Sequence, residues 1–579
     1  GFAQGLVEWI DSTGLLDAEQ GRALAMTVGM AGIPPALRTR PGFEATSPES
    51  PWRFEFDRAL EHARKWRLTR ASTTFRSLKG VAGDSAELFT NIAITSELLA
   101  RPFEAAEAWL AVARIITARG DADAAERSIE ATARAVELEQ EADPDRSPTV
   151  PFERVTAFIP AGEADSIDRL EDRLRHDPRF RSFPVERGDW VARNLAPPRS
   201  GWRVAEPGPT ADDPCRVLGS LLVFGRQTDR EPEAILQGFA PDLVEARSIL
   251  EPLLAVSFSP TETTTRTAPV TPTQWLLSAT YMVVPPAEPA QPPADGRPAV
   301  IDTLLARERD LRWERVVSLW PDTALPELLG RTPREAAKRE DARLRLEAVI
   351  LDEEASSRQQ EGLRAWERIR QLVGLPAAQP VSSSKPLEEV SPLLWHRVDV
   401  RSLGIDELRG LFLGALSTGF DLAAERAAEE LAGRPDASAQ DRWEALGLLE
   451  ERADSTVRRL EIIGQLRSLS GTLKANDGMI DAAELRVRLQ RGEEAEIRRL
   501  LDHVGREHGR DEKVIRAVAE VLAEAGIDVG AMARGAATAG RAPAAAPLPS
   551  AEPDKLWTPG AAAGAAAGGG EKKAIWTPD

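Results

Sequence analysis

The chain has 579 residues, of which 42% are hydrophobic and 28% charged, and its formal net charge is −19. This length suits three or four domains of roughly 100–200 residues each. The acidity disfavours nucleic acid as the main partner, because phosphate binding needs a concentrated positive field. The single cysteine, Cys215, excludes a disulfide framework and any metal site built from several cysteines. No apolar run approaches the roughly 20 residues of a membrane span, so we expect neither a span nor a signal peptide.

Residues 1–141 form the first predicted domain, an N-terminal helical array. Apolar residues recur at helical spacing over 85–99, 103–118 and 123–138. The separators between these segments are short, and small residues dominate the helix faces, so the helices are expected to pack closely as antiparallel neighbours. The pattern resembles tetratricopeptide hairpins, although the signature of about 34 residues is not strictly met.

One window of this array is basic and carries aromatic residues. No acidic residue occurs from His62 to Gly83, where basic residues surround Trp66 and Phe75. The basic residues are Arg64, Lys65, Arg67, Arg70, Arg76 and Lys79. Such a pattern is able to hold an RNA segment or an anionic protein, so an RNA- or ribosome-associated factor is an alternative function. Because only this window shows the pattern, the sequence favours a solvated face that neutralises acidic neighbours.

Residues 142–298 change character and predict a small central α+β domain. Prolines become frequent, and 217–224 is an apolar run typical of a buried strand. A polar turn, a second short run over 234–239 and a helical pattern over 242–256 follow, which predicts a strand–turn–strand–helix unit. Further strands are expected at 155–159 and 275–284, and loops at 259–272 and 285–298.

Residues 299–401 return to helix and form a helical connector. Their strongest local signal is the motif Gly-Arg-Thr-Pro-Arg-Glu-Ala over 330–336. Thr332 suits a helix N-cap, Pro333 the first helical position and Glu335 the third position of a capping box. Further apolar positions of the same predicted helix are Leu344, Leu346, Val349 and Ile350.

The two arginines of this motif, Arg331 and Arg334, are candidate partner-binding residues. Their guanidinium groups are suited to an acidic group on a partner. Since the motif is already explained as a helix start, the sequence favours a purely structural role for it.

The segment 402–530 predicts a C-terminal array of tetratricopeptide-like helical repeats. Gly433, Gly471 and Gly509 recur at intervals of 38 residues, and each closes a candidate two-helix unit. The third unit departs from the repeat, because Glu484 stands where leucine is expected. Stacked hairpins of this kind expose a concave surface whose usual use is to hold a peptide or protein.

The tail over 531–579 is rich in Ala, Gly and Pro and is predicted to be disordered, because it cannot bury enough apolar surface to offset its ordering entropy. It contains two Trp-Thr-Pro motifs, whose candidate partner-binding residues are Trp557, Pro559, Trp576 and Pro578. Tryptophan is a strong peptide anchor, and two copies would raise avidity. The alternative is a low-complexity duplication with no partner.

Catalytic and cofactor-binding patterns are not recognisable in the sequence. The chain shows no nucleophile elbow, phosphate loop or dinucleotide fingerprint. His503 and His508 are five residues apart, off one helix face, and are interpreted as surface or cap residues. The sequence therefore predicts no catalytic, cofactor-binding or metal-binding residue and no cofactor. An enzyme with an unrecognised site in 150–300 stays an open alternative.

Several of these segments resemble a group of large bacterial proteins of uncertain function, including planctomycete members. That group carries helical repeats and often a zinc-binding motif like the one at the C-terminus of SecA (SEC-C). The resemblance rests on 320–337, 217–256, 403–411 and the Trp-Thr-Pro tail. The Gly-x-Thr-Pro pattern is also similar to one in the toxin-binding domain of Xre/MbcA/ParS-type antitoxins. The resemblance implies a cytoplasmic, non-enzymatic protein, but the Cys-rich zinc motif is missing, so it implies no metal here.

The sequence thus predicts a mainly α protein, in which tetratricopeptide-like arrays flank a small central α+β domain. The predicted function is a non-enzymatic scaffold or adaptor that binds protein segments on its repeat surfaces. The expected partners are proteins, and nucleic acid is disfavoured.

Overall fold

The computed structural model describes residues 33–39, 41–120, 123–143, 149–159, 166–185, 187–192, 195–206, 214–226, 231–260, 270–282, 297–381, 385–525 and 527. Over these residues the protein is mainly α-helical with one small antiparallel sheet, which confirms the predicted fold class. The predicted disordered tail lies outside the described residues, and so do its candidates Trp557, Pro559, Trp576 and Pro578. No helix in the described part combines the length and hydropathy needed to cross a membrane.

The described part of the N-terminal block is helical. Its described helices are α1 (Pro35–Arg38), α2 (Arg53–Arg64), α3 (Leu68–Ser77), α4 (Lys79–Ala82), α5 (Ala86–Leu98), α6 (Pro102–Arg119) and α7 (Ala124–Ala142). The hydroxyl of Ser85 caps α5 by accepting a hydrogen bond from the Leu88 N–H. Pro102 opens α6, and Gly120 ends it in the left-handed conformation. Helices α5, α6 and α7 pack consecutively on one another.

The central segment forms a sheet with strand order β2-β3-β4-β5-β1-β6, in which neighbouring strands are antiparallel and β7 pairs with β4. The strands are β1 (Phe152–Phe158), β2 (Phe180–Phe183), β3 (Ser200–Ala205), β4 (Cys215–Phe224), β5 (Glu233–Phe239), β6 (Ser259–Pro260) and β7 (Tyr281–Met282). The helices of this segment are α8 (Ser166–His176), α9 (Arg187–Ala192), α10 (Ala240–Leu254) and α11 (Pro272–Leu277). The predicted strand–turn–strand–helix unit corresponds to β4, β5 and α10.

The predicted strand at 275–284 is wrong over its first part, where helix α11 ends at Leu277. The Thr271 hydroxyl accepts a hydrogen bond from the Gln274 N–H, and the Gln274 side chain accepts one from the Thr271 N–H. This capping box, with Pro272 at the first helical position, starts a helix despite the apolar run that follows. Among the described residues of this range, which end at residue 282, Tyr281 and Met282 form a strand.

The described residues of the connector form four α-helices and several 3₁₀ turns. The helices are α12 (Arg297–Leu319), α13 (Pro333–Ala336), α14 (Glu340–Ser356) and α15 (Gln360–Val373), and the 3₁₀ turns are Trp320–Asp322, Pro326–Leu328, Leu387–Glu389, Pro392–Arg397 and Val400–Ser402. The predicted capping box of Thr332 and Glu335 is confirmed. The helix that it starts ends after one turn, however, so the apolar positions 344–350 belong to a second helix, α14.

The C-terminal block is a series of seven described helices, of which the first six pack consecutively on one another. They are α16 (Ile405–Thr418), α17 (Asp421–Gly433), α18 (Ala439–Arg452), α19 (Thr456–Leu473), α20 (Asp477–Arg491), α21 (Glu494–Glu507) and α22 (Glu512–Glu524). Gly433, Gly471 and Gly509 lie at or near the ends of α17, α19 and α21, which are the second helices of the three predicted pairs. The chain as a whole divides into two units, Gly1–Val521 and Leu522–Asp579.

The N-terminal block and the connector contact each other directly, although the sheet segment separates them in the sequence. Helix α7 packs along α14. The Ala36 N–H donates to Oδ1 of Asp352 over 2.7 Å, and Arg345 forms an ion pair with Glu139. The sheet segment is therefore inserted between two helical blocks that share an interface.

Candidate functional site

The Gly-Arg-Thr-Pro motif follows a tight turn that the backbone holds closed. The Leu325 N–H donates to the Arg331 carbonyl over 3.0 Å, and the Gly330 N–H donates to the Leu325 carbonyl over 2.9 Å. Two consecutive residues, Leu329 and Gly330, adopt the left-handed conformation with φ values of 58° and 77°. The left-handed conformation is unfavourable for leucine, because Cβ approaches the backbone carbonyl. Leu329 is nevertheless held there with 64% of its surface exposed.

Leu329 lines a cavity of about 600 Å³ between this turn, helices α6 and α7 and the start of α14, which we name the Leu329 groove. Its lining residues are Leu110, Ala113, Arg114, Thr117, Ala118, Thr132, Leu329, Arg331, Glu340, Asp341, Ala342, Leu344 and Arg345. The buried members are small, namely Ala113, Thr132 and Ala342, whereas the leucines are partly or largely exposed. A groove with small buried residues and accessible leucines is suited to an inserted apolar side chain.

The charged residues of the Leu329 groove are of both signs. Asp341 is neutralised by an ion pair with Arg339 at 2.9 Å, and the hydrogen bond from Arg339 lowers the Asp341 pKa. Arg345 is bound to Glu139 and to the Glu327 carbonyl. Arg114, which is exposed, and Arg331 provide further positive charge at the groove.

The structure separates the two arginines that the sequence groups together. Arg334 donates to both carboxylate oxygens of Asp322, at 2.8 and 3.3 Å, and to the Leu372 carbonyl at 3.1 Å. The hydrogen bond with Asp322 raises the pKa of Arg334. Arg334 lines a different, smaller cavity of about 410 Å³, together with Arg368. Of the two candidates, only Arg331 lies at the Leu329 groove.

The basic window extends from the end of helix α2 through α3 and α4, and its aromatic residues pack against the core. Phe75 is fully buried and packs edge-on against Phe56, with ring centroids 5.3 Å apart. Trp66 is half-buried against the same core. Lys65 forms an ion pair with Glu61 at 2.5 Å. The candidates Arg64, Arg67 and Arg70 are exposed, so the window presents charge without the stacking ring of Phe75.

A second large cavity, of about 620 Å³, lies between α7 and the segment 385–393. Among its lining residues are Trp109, Arg127, Glu130, Arg134 and Lys385. Burial raises the pKa of Glu130 to about 7, against the opposing effects of a hydrogen bond with Ser391 and the charge of Lys385. Sequence reasoning missed this cavity because its two sides lie about 250 residues apart in the chain.

None of these three cavities is lined by a described residue from 150–300, the range proposed for an unrecognised enzymatic site. The buried histidine His396 lies elsewhere, in the connector, where its Nε2 is 3.4 Å from Glu354. Burial opposes the ionisation of Glu354, but the hydrogen bond with His396 and the charges of Arg397 and Arg370 outweigh it and hold its pKa well below the usual range. This cluster therefore acts as a buried ion-pair network.

Comparison of the chain with protein-family models, curated proteins and solved structures finds no match. The resemblance to helical-repeat proteins related to the SEC-C group therefore stays a prediction.

Proposed function

We propose that this protein is a non-enzymatic interaction scaffold that binds a protein segment in the Leu329 groove. The observation that carries the proposal is the position of Leu329. Its side chain is 64% exposed, in a backbone conformation unfavourable for leucine, beside a cavity of about 600 Å³. Exposed apolar side chains at a cavity are typical of surfaces that a partner covers. A cytoplasmic location and a bacterial origin belong to the same proposal.

The chemistry of the groove defines the partner. Leu110, Leu329 and Leu344 offer apolar contacts for one inserted aliphatic or aromatic side chain. Arg114 and Arg331 offer hydrogen-bond donors for a nearby carboxylate, and arginine binds carboxylates with paired donors. The preferred partner is therefore a peptide segment that places an acidic residue close to a large apolar residue.

A peptide-display selection against the full chain tests this proposal. Enriched peptides are expected to combine an acidic and a large apolar residue, and to bind the Arg331→Glu variant at least about tenfold more weakly, as measured by fluorescence polarisation. The matched control is Lys338→Glu, which makes a similar charge reversal at an exposed residue that does not line the groove. Its affinity should stay within about twofold of the parent protein.

Two results would overturn the proposal. One is a selection that yields no peptide with this composition, and the other is an equal loss of affinity in the Arg331→Glu and Lys338→Glu variants.

Deletion of the tail from about residue 540 tests the separate prediction that the Trp-Thr-Pro motifs are a second contact point. If the set of recovered partners is unchanged, the tail prediction fails.

A further inference from the structure

Two aspartates and two histidines meet where helix α20 begins and helix α21 ends. Asp477 and Asp481 lie one turn apart on α20, His503 lies on α21, and His508 directly follows α21. Gly492, in the left-handed conformation, ends α20, and the two helices pack on each other. The spacing of the histidines in the sequence gives no sign of this cluster, because the acidic members come from the preceding helix.

The polar atoms of the cluster are close enough to share one ion. One ligand atom from each of Asp481, His503 and His508 lies within 4.8 Å of the other two. Nδ1 of His503 is 2.6 Å from Oδ2 of Asp481. Nε2 of His508 is buried and has no hydrogen-bond partner among the described residues, although Oδ1 of Asp477 is 3.3 Å away. A buried imidazole nitrogen without a partner is costly, and a bond to a ligand would remove that cost.

Neighbouring residues hold the cluster in this arrangement. A Cβ atom at Gly478 would lie 2.8 Å from Cγ of His508, so the glycine provides the room for the imidazole ring. Arg467 donates to Oδ1 of Asp481 over 2.9 Å, which leaves Oδ2 directed towards His503. Asp481 itself is 1% exposed. Hydrogen bonds that neighbouring residues make to metal ligands orient those ligands towards the ion.

We propose that Asp481, His503 and His508 form a site for a divalent cation of the zinc class. Imidazole nitrogen and carboxylate oxygen are ligands of Zn²⁺, at bond lengths of about 2.0–2.2 Å. Ligand atoms of a tetrahedral ion are then about 3.3 Å apart, a separation that small side-chain rotations would reach. The ion takes the place of the proton between His503 and Asp481, and Asp477 or a water molecule supplies the fourth ligand.

The positive charges near the site are largely matched by another carboxylate. Glu484 binds Arg467, Arg488 and Arg499 at 2.8, 3.1 and 3.2 Å. Of these arginines, only Arg467 also contacts Asp481. This site is independent of the proposed partner binding at the Leu329 groove.

Isothermal titration of Zn²⁺ into the full chain, freed of metal by chelation, tests the proposal. We expect one equivalent to bind, and the affinity to fall at least about tenfold in His503→Gln and in His508→Gln. His176→Ala is the matched control, because His176 is an exposed histidine on helix α8. It should leave the affinity unchanged. Added Zn²⁺ should also raise the melting temperature of the parent and control proteins, but not of the two glutamine variants.

The proposal is overturned if the parent protein binds no Zn²⁺ at about 100 µM, or if both glutamine variants bind as tightly as the His176→Ala control. Each variant is first compared with the parent by circular dichroism. Should His503→Gln fail to fold, His508→Gln decides the outcome, because His508 lies beyond the end of α21. Visible absorption of bound Co²⁺ gives a second readout, with a tetrahedral spectrum expected only for proteins that retain both histidines.

Discussion

Arg134 and Glu97 form a bidentate ion pair in the interior of the N-terminal block. Nε and Nη2 of Arg134 each donate to a different carboxylate oxygen of Glu97 over 2.6 Å. Both side chains are almost completely buried, and Trp109 donates a further hydrogen bond to the carboxylate. Nη1 of Arg134 donates to the carbonyls of Ala36 and Thr39, so this pair also fastens helix α1 to helix α7.

Removing one partner of this pair should destabilise the fold strongly. In Arg134→Met, the charge of Glu97 stays buried without its partner, and we expect the free energy of unfolding to fall by about 3–5 kcal/mol. The double variant with Glu97→Gln should lose less than the single variant, because no unpaired charge remains. Urea unfolding measures the free energy of unfolding of the single and the double variant. Arg127→Met on the same helix is the control, since the exposed pair of Arg127 and Glu44 should contribute less than about 1 kcal/mol. If Arg134→Met and Arg127→Met lower the free energy of unfolding equally, the buried pair is not the source of the stabilisation.

The capping box at Thr332 gives a second, smaller stability effect. Thr332→Ala removes the hydrogen bond that the Glu335 N–H donates to the hydroxyl, and should lower the free energy of unfolding by about 1 kcal/mol. Thr332→Ser retains the acceptor and should stay close to the parent protein. Urea unfolding of the two variants distinguishes the cap from the loss of a methyl group. If Thr332→Ser lowers the free energy of unfolding as much as Thr332→Ala does, loss of the capping hydrogen bond is not the cause of the destabilisation.

Local signals in the sequence predict local structure in this protein. Strand β4 and the helix start at Pro333 were predictable, because an apolar run and a capping box each act within a few residues. Strands β2 and β3 were not predicted, since they are short and surrounded by prolines and polar residues. The strand predicted at 275–284 was wrong over its first part, because the capping residue Thr271 starts a helix there despite the apolar pattern.

The sites depend on contacts between distant segments, which no local pattern specifies. The Leu329 groove joins Leu110 to Leu329 and Leu344, from parts of the chain more than 200 residues apart. Glu484 is a partial exception. The sequence marks it as a departure from the repeat, and the structure shows that its carboxylate binds three arginines. The identity of those arginines depends on how α19, α20 and α21 pack.

Several partly buried carboxylates have raised pKa values and make stability depend on pH. Burial raises the pKa of Asp352 to about 7 and of Glu353 to about 8. Burial likewise raises those of Glu130 and Glu425 to about 7. The folded state binds these protons more tightly than the unfolded state. The protonated carboxylates therefore contribute fully to stability only below the unfolded pKa of about 4. This contribution is lost as the pH rises through the folded pKa values of about 7–8.

We therefore expect the free energy of unfolding to decrease by about 4 kcal/mol between pH 6.5 and pH 8.5. Urea unfolding at the two pH values measures the change. Asp352→Asn should make this decrease smaller without abolishing it, because the amide oxygen still accepts the hydrogen bond from Ala36 but does not titrate, whereas the other three carboxylates still do. Glu340→Gln, an exposed position on the same helix, is the control and should keep the parent slope. A stability that rises with pH over this range would refute the assignment.

Leu329 offers a test in which stability and binding change in opposite directions. Glycine adopts the left-handed conformation without the steric cost that leucine incurs, and little buried surface is lost at this exposed position. Leu329→Gly should therefore raise the free energy of unfolding by about 0.5–1 kcal/mol, while peptides selected on the parent protein bind at least about tenfold more weakly. Urea unfolding and fluorescence polarisation measure the two effects on the same sample.

The Leu329→Ala variant separates the two effects, because alanine retains most of the backbone strain but loses the side chain. It should therefore weaken peptide binding without the gain in stability. If Leu329→Gly is more stable and binds peptides as well as the parent, the exposed leucine has no part in binding.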